Sequence, residues 1–535
     1  MEQRGNFGCR DVTFYAYDLP PKLFRTIQNE FHREFSVMPR ESYSRGFGPA
    51  SLLGVALILL VSAIAMLAPQ KAEALPSYAR QTGLGCGSCH TEFPQLTPFG
   101  RRFKIGGYTL GDTAHAKRTL VDSPYTRKAE GTPDWELLLS VQAIASFTHT
   151  GADQDTAGSA PFIKANNNVE FQTASLFYGG AVTDHIGVFA QATYTAQGFG
   201  PPAAHLFSWD NLDIRYANTT NIGGMPVVYG ITVNNNPTVQ DPWNTTPAWG
   251  FPFTASNLVN TPDAKTRIDQ GFAAQVLGAG AYAFINDKLY LEVAGYQTLN
   301  PGALNSLGVN PVDTTPINGI APYFRAAFEQ QWGKHSLEIG AYGMFSDTSL
   351  PLANPGAGTN RFSDIGVDSQ YQYQGEGYWI TVRGTYIYEK QQLSASVANG
   401  LAANFNNTLN TFRANAALTY GTDGKIILTG GYFNTWGSSD SLLYGGNRTL
   451  SPNSDGYIAE IAYQFFEEQC PNTMAVVQYQ ARPAIHRLQQ VQRREIRFRR
   501  HGNQRPRQQH RARVSLVHVL GARPDRHRDR AFVAG

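Results

Sequence analysis

The sequence predicts a mainly β fold: an outer-membrane antiparallel β-barrel of about sixteen strands, with a small N-terminal domain expected in its lumen as a plug. Three observations carry that expectation. From Asp134 to Phe466 the chain breaks into some fifteen legible segments of period-two alternation, split by Gly, Asn, Asp and Pro. Ahead of them lies a single long apolar run of the kind that directs export. Charged residues make up only 16% of the 535 residues, while 52 glycines, 26 tyrosines and 31 phenylalanines enrich it in turn formers and aromatics. That composition excludes charge-driven disorder and lysine-rich solvated helices.

The N-terminal segment comes first. Residues 50–68 contain no charge, follow Arg40 and Arg45, and precede Ala72-Glu73-Ala74, a small-x-small tripeptide. Together they read as a secretory signal cleaved after Ala74, so residues 1–74 form a leader absent from the mature protein. Nineteen apolar residues could also serve as an uncleaved anchor, but the cleavage tripeptide favours the signal. Residues 1–37 resemble neither an export signal nor a domain, and Met38 is a plausible native start.

Residues 75–133 hold the chemistry. Gly85-Cys86-Gly87-Ser88-Cys89-His90 contains Cys-x-x-Cys-His, the attachment sequence of c-type haem. Two thiols three residues apart share one helical turn and can each add to one vinyl group of a porphyrin. The next histidine then supplies the axial iron ligand. A redox disulfide competes, but no thioredoxin-like βαβ pattern surrounds the pair. Half a zinc site competes too, but the other two cysteines, Cys9 and Cys470, form no second pair to close a tetrahedron. The expected cofactor is therefore one haem c, with Cys86 and Cys89 as thioethers and His90 on the iron. For the sixth ligand His115 is nearest in sequence. His149, His185, His205, His335, Met225 and Met344 stay open, as does an open or water-ligated iron. Arg101, Arg102 and Lys104 could offset haem propionates or form a solvated basic turn.

After the motif the chain reads Phe99-Gly100, Phe103-Lys104 and Gly107-Tyr108 within the run Gln81–Leu110. This run, followed by a long strand-rich region, resembles the fused cytochrome–porin family, which includes outer-membrane monohaem cytochromes of iron-oxidising bacteria. The resemblance is specific over about thirty residues and architectural beyond them. It implies haem roles for Cys86, Cys89 and His90, ferrous iron as an extracellular electron donor, and a periplasmic c-type cytochrome as acceptor.

The barrel wall is assigned to residues 134–470. Leu289, Leu291 and Val293 share a face opposite Glu292; Leu337, Ile339, Ala341 and Phe345 oppose Ser336, Glu338 and Tyr342. Ile380, Val382, Tyr386 and Tyr388 oppose Thr381, Arg383 and Thr385, and Phe412, Ala414, Ala416 and Leu418 oppose Arg413, Asn415 and Thr419. Apolar faces against ionic faces fit lipid outside and water inside. A soluble sandwich would use seven to nine strands, about half as many. Asn286-Asp287 and Thr422-Asp423-Gly424 read as periplasmic turns, and Asn234–Lys265, with Trp243 and Trp249, as an extracellular or lumenal loop.

Residues 471–535 differ, with 15 arginines, 3 acidic residues and no lysine. They are expected to be a frameshift product that leaves the last strands missing, the break falling near Phe466–Asn472. Residues 75–470 carry net −10, so the body offers no phosphate-binding surface and no nucleic-acid partner is expected.

Three functions fit. The first is an electron carrier spanning the outer membrane, an Fe(II) oxidase if iron is the donor. The second is a porin or receptor with a haem-bearing plug or redox sensor and no current. The third is a soluble cytochrome on a β scaffold. No Ser-His-Asp set or phosphate loop offers rival chemistry.

Overall fold

In the computed structural model the described residues are 76–82, 84, 86–109, 139–150, 166–199, 205–237, 241–245, 253, 255–256, 262, 264–352, 356–421, 425–447, 449–464, 473–481 and 513–520. The signal segment, His115, Trp249 and the turn 422–424 lie outside them, as does the side chain of His205.

A short N-terminal segment folds first. It consists of α1 (Pro76–Thr82), α2 (Cys86–Cys89), a small hairpin of β1 (His90–Glu92) and β2 (Gln95–Leu96), and α3 (Pro98–Ile105). The wall follows as β3 (Leu139–His149), β4 (Asn167–Ala181), β5 (Ile186–Phe199), β6 (His205–Ile222), β7 (Met225–Asn234), β8 (Val276–Ile285), β9 (Leu289–Thr298) and β10 (Ala321–Trp332). It continues through β11 (His335–Thr348), β12 (Asn360–Gln374), β13 (Tyr378–Gln392), β14 (Asn406–Tyr420), β15 (Lys425–Gly437), β16 (Ser454–Gln464), β17 (Thr473–Ala481) and β18 (Arg513–Leu520). Each strand pairs antiparallel with its chain neighbours, and β18 pairs with β3, closing a sixteen-strand barrel. Closure leaves no unpaired edge, which is what a β structure needs in lipid.

Alternation sets the two faces. Along β10, Tyr323, Arg325, Ala327 and Glu329 are buried toward the lumen while Phe324 and Phe328 are exposed outward. On β9, Leu289, Leu291 and Val293 face out and Tyr290 and Glu292 face in. The outer surface therefore exposes valine, leucine, isoleucine and phenylalanine all round. On a soluble protein such a surface would be an aggregation liability; on a membrane barrel it is the lipid contact. Trp332, Tyr420 and Tyr463 stand exposed at strand ends, where aromatic girdles belong.

The connections are unequal. One end has short turns, including Asn286-Asp287, both at positive φ (51° and 54°), and Gly223-Gly224. Consecutive positive φ values match the right-handed twist of paired strands, so Asn and Gly are suited to these positions. The other end carries the long loops, and the β7–β8 loop turns inward: Trp243 is buried against Tyr290, and Asp241 lies 3.5 Å from the lumenal Arg325.

The wall does not end at residue 470: β17 and β18 lie in the arginine-rich tail and complete the ring. Tail-wide composition hid them. Met474–Gln480 and Val514–Leu520 are arginine-free stretches with strand-forming residues, and backbone ladders need no particular side chain to pair.

Candidate functional site

The N-terminal segment lies inside the barrel at the short-turn end. Three sets of contacts hold it there: hydrogen bonds from α1, an ion pair from α3, and the turn after α3. The Ser77 amide donates to Ser140 Oγ (3.2 Å), Tyr78 OH to the Val188 carbonyl (2.8 Å) and Gln81 Nε2 to the Gly179 carbonyl (3.0 Å). The Ala181 amide returns a bond to Gln81 Oε1. These fix α1 on β3, β4 and β5.

Helix α3 begins with Thr97 as N-cap, its hydroxyl accepting from the Gly100 amide, and Pro98 in the first turn. The same threonine ties the helix to the motif: its hydroxyl donates to the Ser88 carbonyl and its amide to the Cys89 carbonyl (2.9 Å). A Cβ at Gly100 would stand 2.2 Å from the Cys89 carbonyl oxygen, so only glycine lets α3 approach this closely.

Arg101 then reaches the wall. Its Nε and Nη2 form a bidentate pair with Glu329 (3.1 and 2.9 Å), Nη1 donates to Gln372 Oε1 (2.7 Å) and the Leu96 carbonyl, and Nη2 to Ser336 Oγ. Lys104 Nζ donates to the Asp241 carbonyl (3.0 Å), and burial first, then Arg215, push its amine down to about 8. Arg102 is exposed and pairs loosely with Asp287 (3.5 Å). The structure therefore commits Arg101 and Lys104 to the wall and the inserted loop; only Arg102 is the solvated basic residue considered from sequence.

Past α3, Gly107 (φ 73°) brings the chain against Ala217, and Tyr108 OH donates to Asp213 (2.6 Å). Tyr282 OH donates to the Ile105 carbonyl (2.7 Å). Trp243 of the inserted loop joins Ile105 in one buried cluster and donates its indole N–H to Glu329 (2.7 Å). Plug and loop meet in the lumen on one shared carboxylate of the wall.

Within this frame Cys86 and Cys89 occupy one four-residue turn, the first buried and the second half-buried. Burial pushes the Cys89 thiol up to about 11, the opposite of the depressed value a redox dithiol needs. His90 follows directly, its ring 4.3 Å from the Phe93 ring. Burial first, then the Lys425 charge, push the imidazole down to about 3, with backbone groups of Gln95 and Pro94 opposing. It is neutral, and its buried Nδ1 makes no hydrogen bond among the described residues. Two thiols on one turn and an adjoining neutral imidazole are a donor set that fits a covalently bound haem. Glu92 is buried nearby, raised to about 8 by burial and Glu460, with Arg383 and Lys425 pulling the other way.

The remaining sixth-ligand candidates scatter. His149 caps β3 at the long-loop end beside Asn167, and His185 sits in the β4–β5 turn against the Ala217 carbonyl. His335 stacks on Trp332 at the short-turn end, Met225 is exposed at the start of β7, and Met344 is buried in the cluster around Phe272 and Tyr323. None of these settings groups with the motif. Conversely, sequence reading missed Lys425, Arg383 and Glu460, which the wall brings to His90 and Glu92; their only signal was an ionic residue on an inward face.

No protein-family profile matches the chain, and no curated protein matches it. Among solved structures it is similar to the loop-L8 deletion variant of OmpT, an outer membrane protein of Vibrio cholerae, at 8% identity over 72% of this chain and 99% of that one, TM-score 0.37. It is also similar to Salmonella typhi OmpF in complex with daunomycin (11%, 71% and 97%, TM-score 0.38) and to the anion-selective porin from Comamonas acidovorans (9%, 72% and 99%, TM-score 0.35).

Proposed function

We propose that this chain is a porin-type outer-membrane barrel closed by a haem-bearing plug, and that the plug carries electrons at the outer membrane. The observation that carries the reading is the position of Cys86-x-x-Cys89-His90: inside a lumen, at the short-turn mouth, on a segment fixed to the wall by a buried ion pair. Short turns face the periplasm in barrels of this class, which puts the motif within reach of a periplasmic c-type cytochrome. Cys86 and Cys89 would hold haem c through thioethers and His90 would ligate its iron. Bound there, the group supplies one-electron redox chemistry.

The chain's own residues support the proposal in two ways. Arg101 and Glu329 hold the plug in place, so the lumen is obstructed and solute diffusion is a poor use for it. Burial keeps His90 neutral and therefore able to ligate. On the outer side the donor would be Fe(II), as the family resemblance implies.

A second reading is a porin or receptor whose haem-bearing plug senses redox state without passing current. The motif's place at one mouth favours it, since an apolar band about 25 Å tall separates the two faces. The test is spectral. Intact cells expressing the protein receive Fe(II), and the haem band is followed in time. Rapid reduction supports electron entry from outside; a covalent haem that external Fe(II) leaves oxidised supports the sensor or structural plug instead. Absence of covalent haem from the purified chain would overturn both.

A further inference from the structure

The barrel wall delivers a charged side chain directly onto the Cys-x-x-Cys turn, and it comes from a strand more than three hundred residues away in sequence. Lys425 opens β15 at the short-turn end. A Cβ at Gly87, between the two cysteines, would lie 3.4 Å from Lys425 Nζ and 4.0 Å from its Cε. The ammonium and its last methylene therefore rest on the motif itself. The same charge acts on both His90 and Glu92. Arg383 on β13 and Glu460 on β16 also act on Glu92.

We propose that Lys425 is a positioning charge for the haem site: the wall, through this ammonium, raises the reduction potential of a haem held by Cys86, Cys89 and His90. The inference rests on the haem reading above and deepens it. The physical basis is direct. Reduction lowers the charge on the iron by one, so a fixed cation nearby favours the reduced form. In a half-buried site the field is screened far less than at an open surface. Local charge and burial are among the levers by which a protein tunes such a centre. A consequence is that the plug and the wall must be assembled for the potential to take its native value, which couples redox behaviour to correct seating in the barrel.

The experiment uses the full chain, purified in detergent, with the haem band titrated against potential. Lys425→Met keeps the aliphatic stem over Gly87 and deletes the charge; Lys425→Gln is the second neutral variant. Both should move the midpoint negative, and Lys425→Arg should stay near the parent value. Lys334→Gln, in the exposed β10–β11 turn at the same end, is the control for charge at the mouth in general and should leave the midpoint in place. Heat-modifiable migration on a gel confirms an intact barrel for each. If Lys425→Met and Lys425→Gln bind covalent haem at the parent's midpoint, or if Lys334→Gln shifts it equally, the assignment fails. A parent chain without covalent haem would sink the haem reading instead, a different outcome visible before any titration.

Discussion

Arg101 and Glu329 stand 228 residues apart and meet in a bidentate ion pair buried in the lumen, side chains 1% and 3% exposed. The same carboxylate receives the Trp243 indole. One wall residue thus holds both the N-terminal plug and the inserted loop, which makes the pair the latch of the closed barrel.

Breaking the latch should open it. Arg101→Met leaves Glu329 buried without its cation, which costs on the order of 3–5 kcal/mol. The strands close without the plug, so the variant should still insert and migrate as a barrel. Its permeability to small solutes should rise in liposome swelling. Deleting residues 75–130 should do the same more strongly. An inserted deletion variant as impermeable as the parent would show that the loop alone seals the lumen.

Cys86→Ala combined with Cys89→Ala should yield a chain that retains no haem after acid acetone, because both thioether sites are gone. His90→Ala should keep attachment and change the spectrum through loss of the axial nitrogen. Haem surviving acid acetone in the double variant would refute the assignment.

Gly100→Ala places a methyl where the Cys89 carbonyl already sits, 2.2 Å away. Helix α3 must withdraw from the motif, a strain of roughly 1–3 kcal/mol by analogy with overpacked cores. The plug should become more sensitive to protease than in the parent while the barrel remains intact. Equal protease resistance would mean the segment can shift without cost.

Asp440 should confer an acid-sensitive lock on the long-loop end. Its carboxylate accepts from the amides of Ala403, Asn404, Leu442 and Leu443 and from Asn407 Nδ2. Burial opposes its charge, but these donors outweigh it and hold the group down at about 2, below the ordinary 3.8. A depressed carboxylate gives stability that is complete above the unfolded value and lost as pH falls through the folded one. The local lock should therefore weaken between pH 4 and 2, by about 2 kcal/mol at most. Hydrogen exchange at the Ala403 and Asn404 amides checks it. Asp440→Asn should exchange faster at neutral pH and lose the acid dependence; unchanged protection would exclude the role.

The sequence by itself determined most of the wall strands, their faces and the local geometry of the motif. Period-two alternation assigns Leu289 and Val293 to lipid and Glu292 to the lumen whatever the rest of the chain does, because successive side chains in a strand must point to opposite sides. Three-residue spacing likewise puts Cys86 and Cys89 on one turn without help from elsewhere. The tertiary structure decided the rest. It turned Arg101 and Lys104 away from a haem role to the wall and loop, set Lys425 on Gly87, and recruited β17 and β18 from an arginine-rich tail to close the ring. The reason is that barrel closure fixes which inward positions converge. Residues hundreds apart meet through the register of all sixteen strands, and no local pattern records a sum taken around the whole circumference.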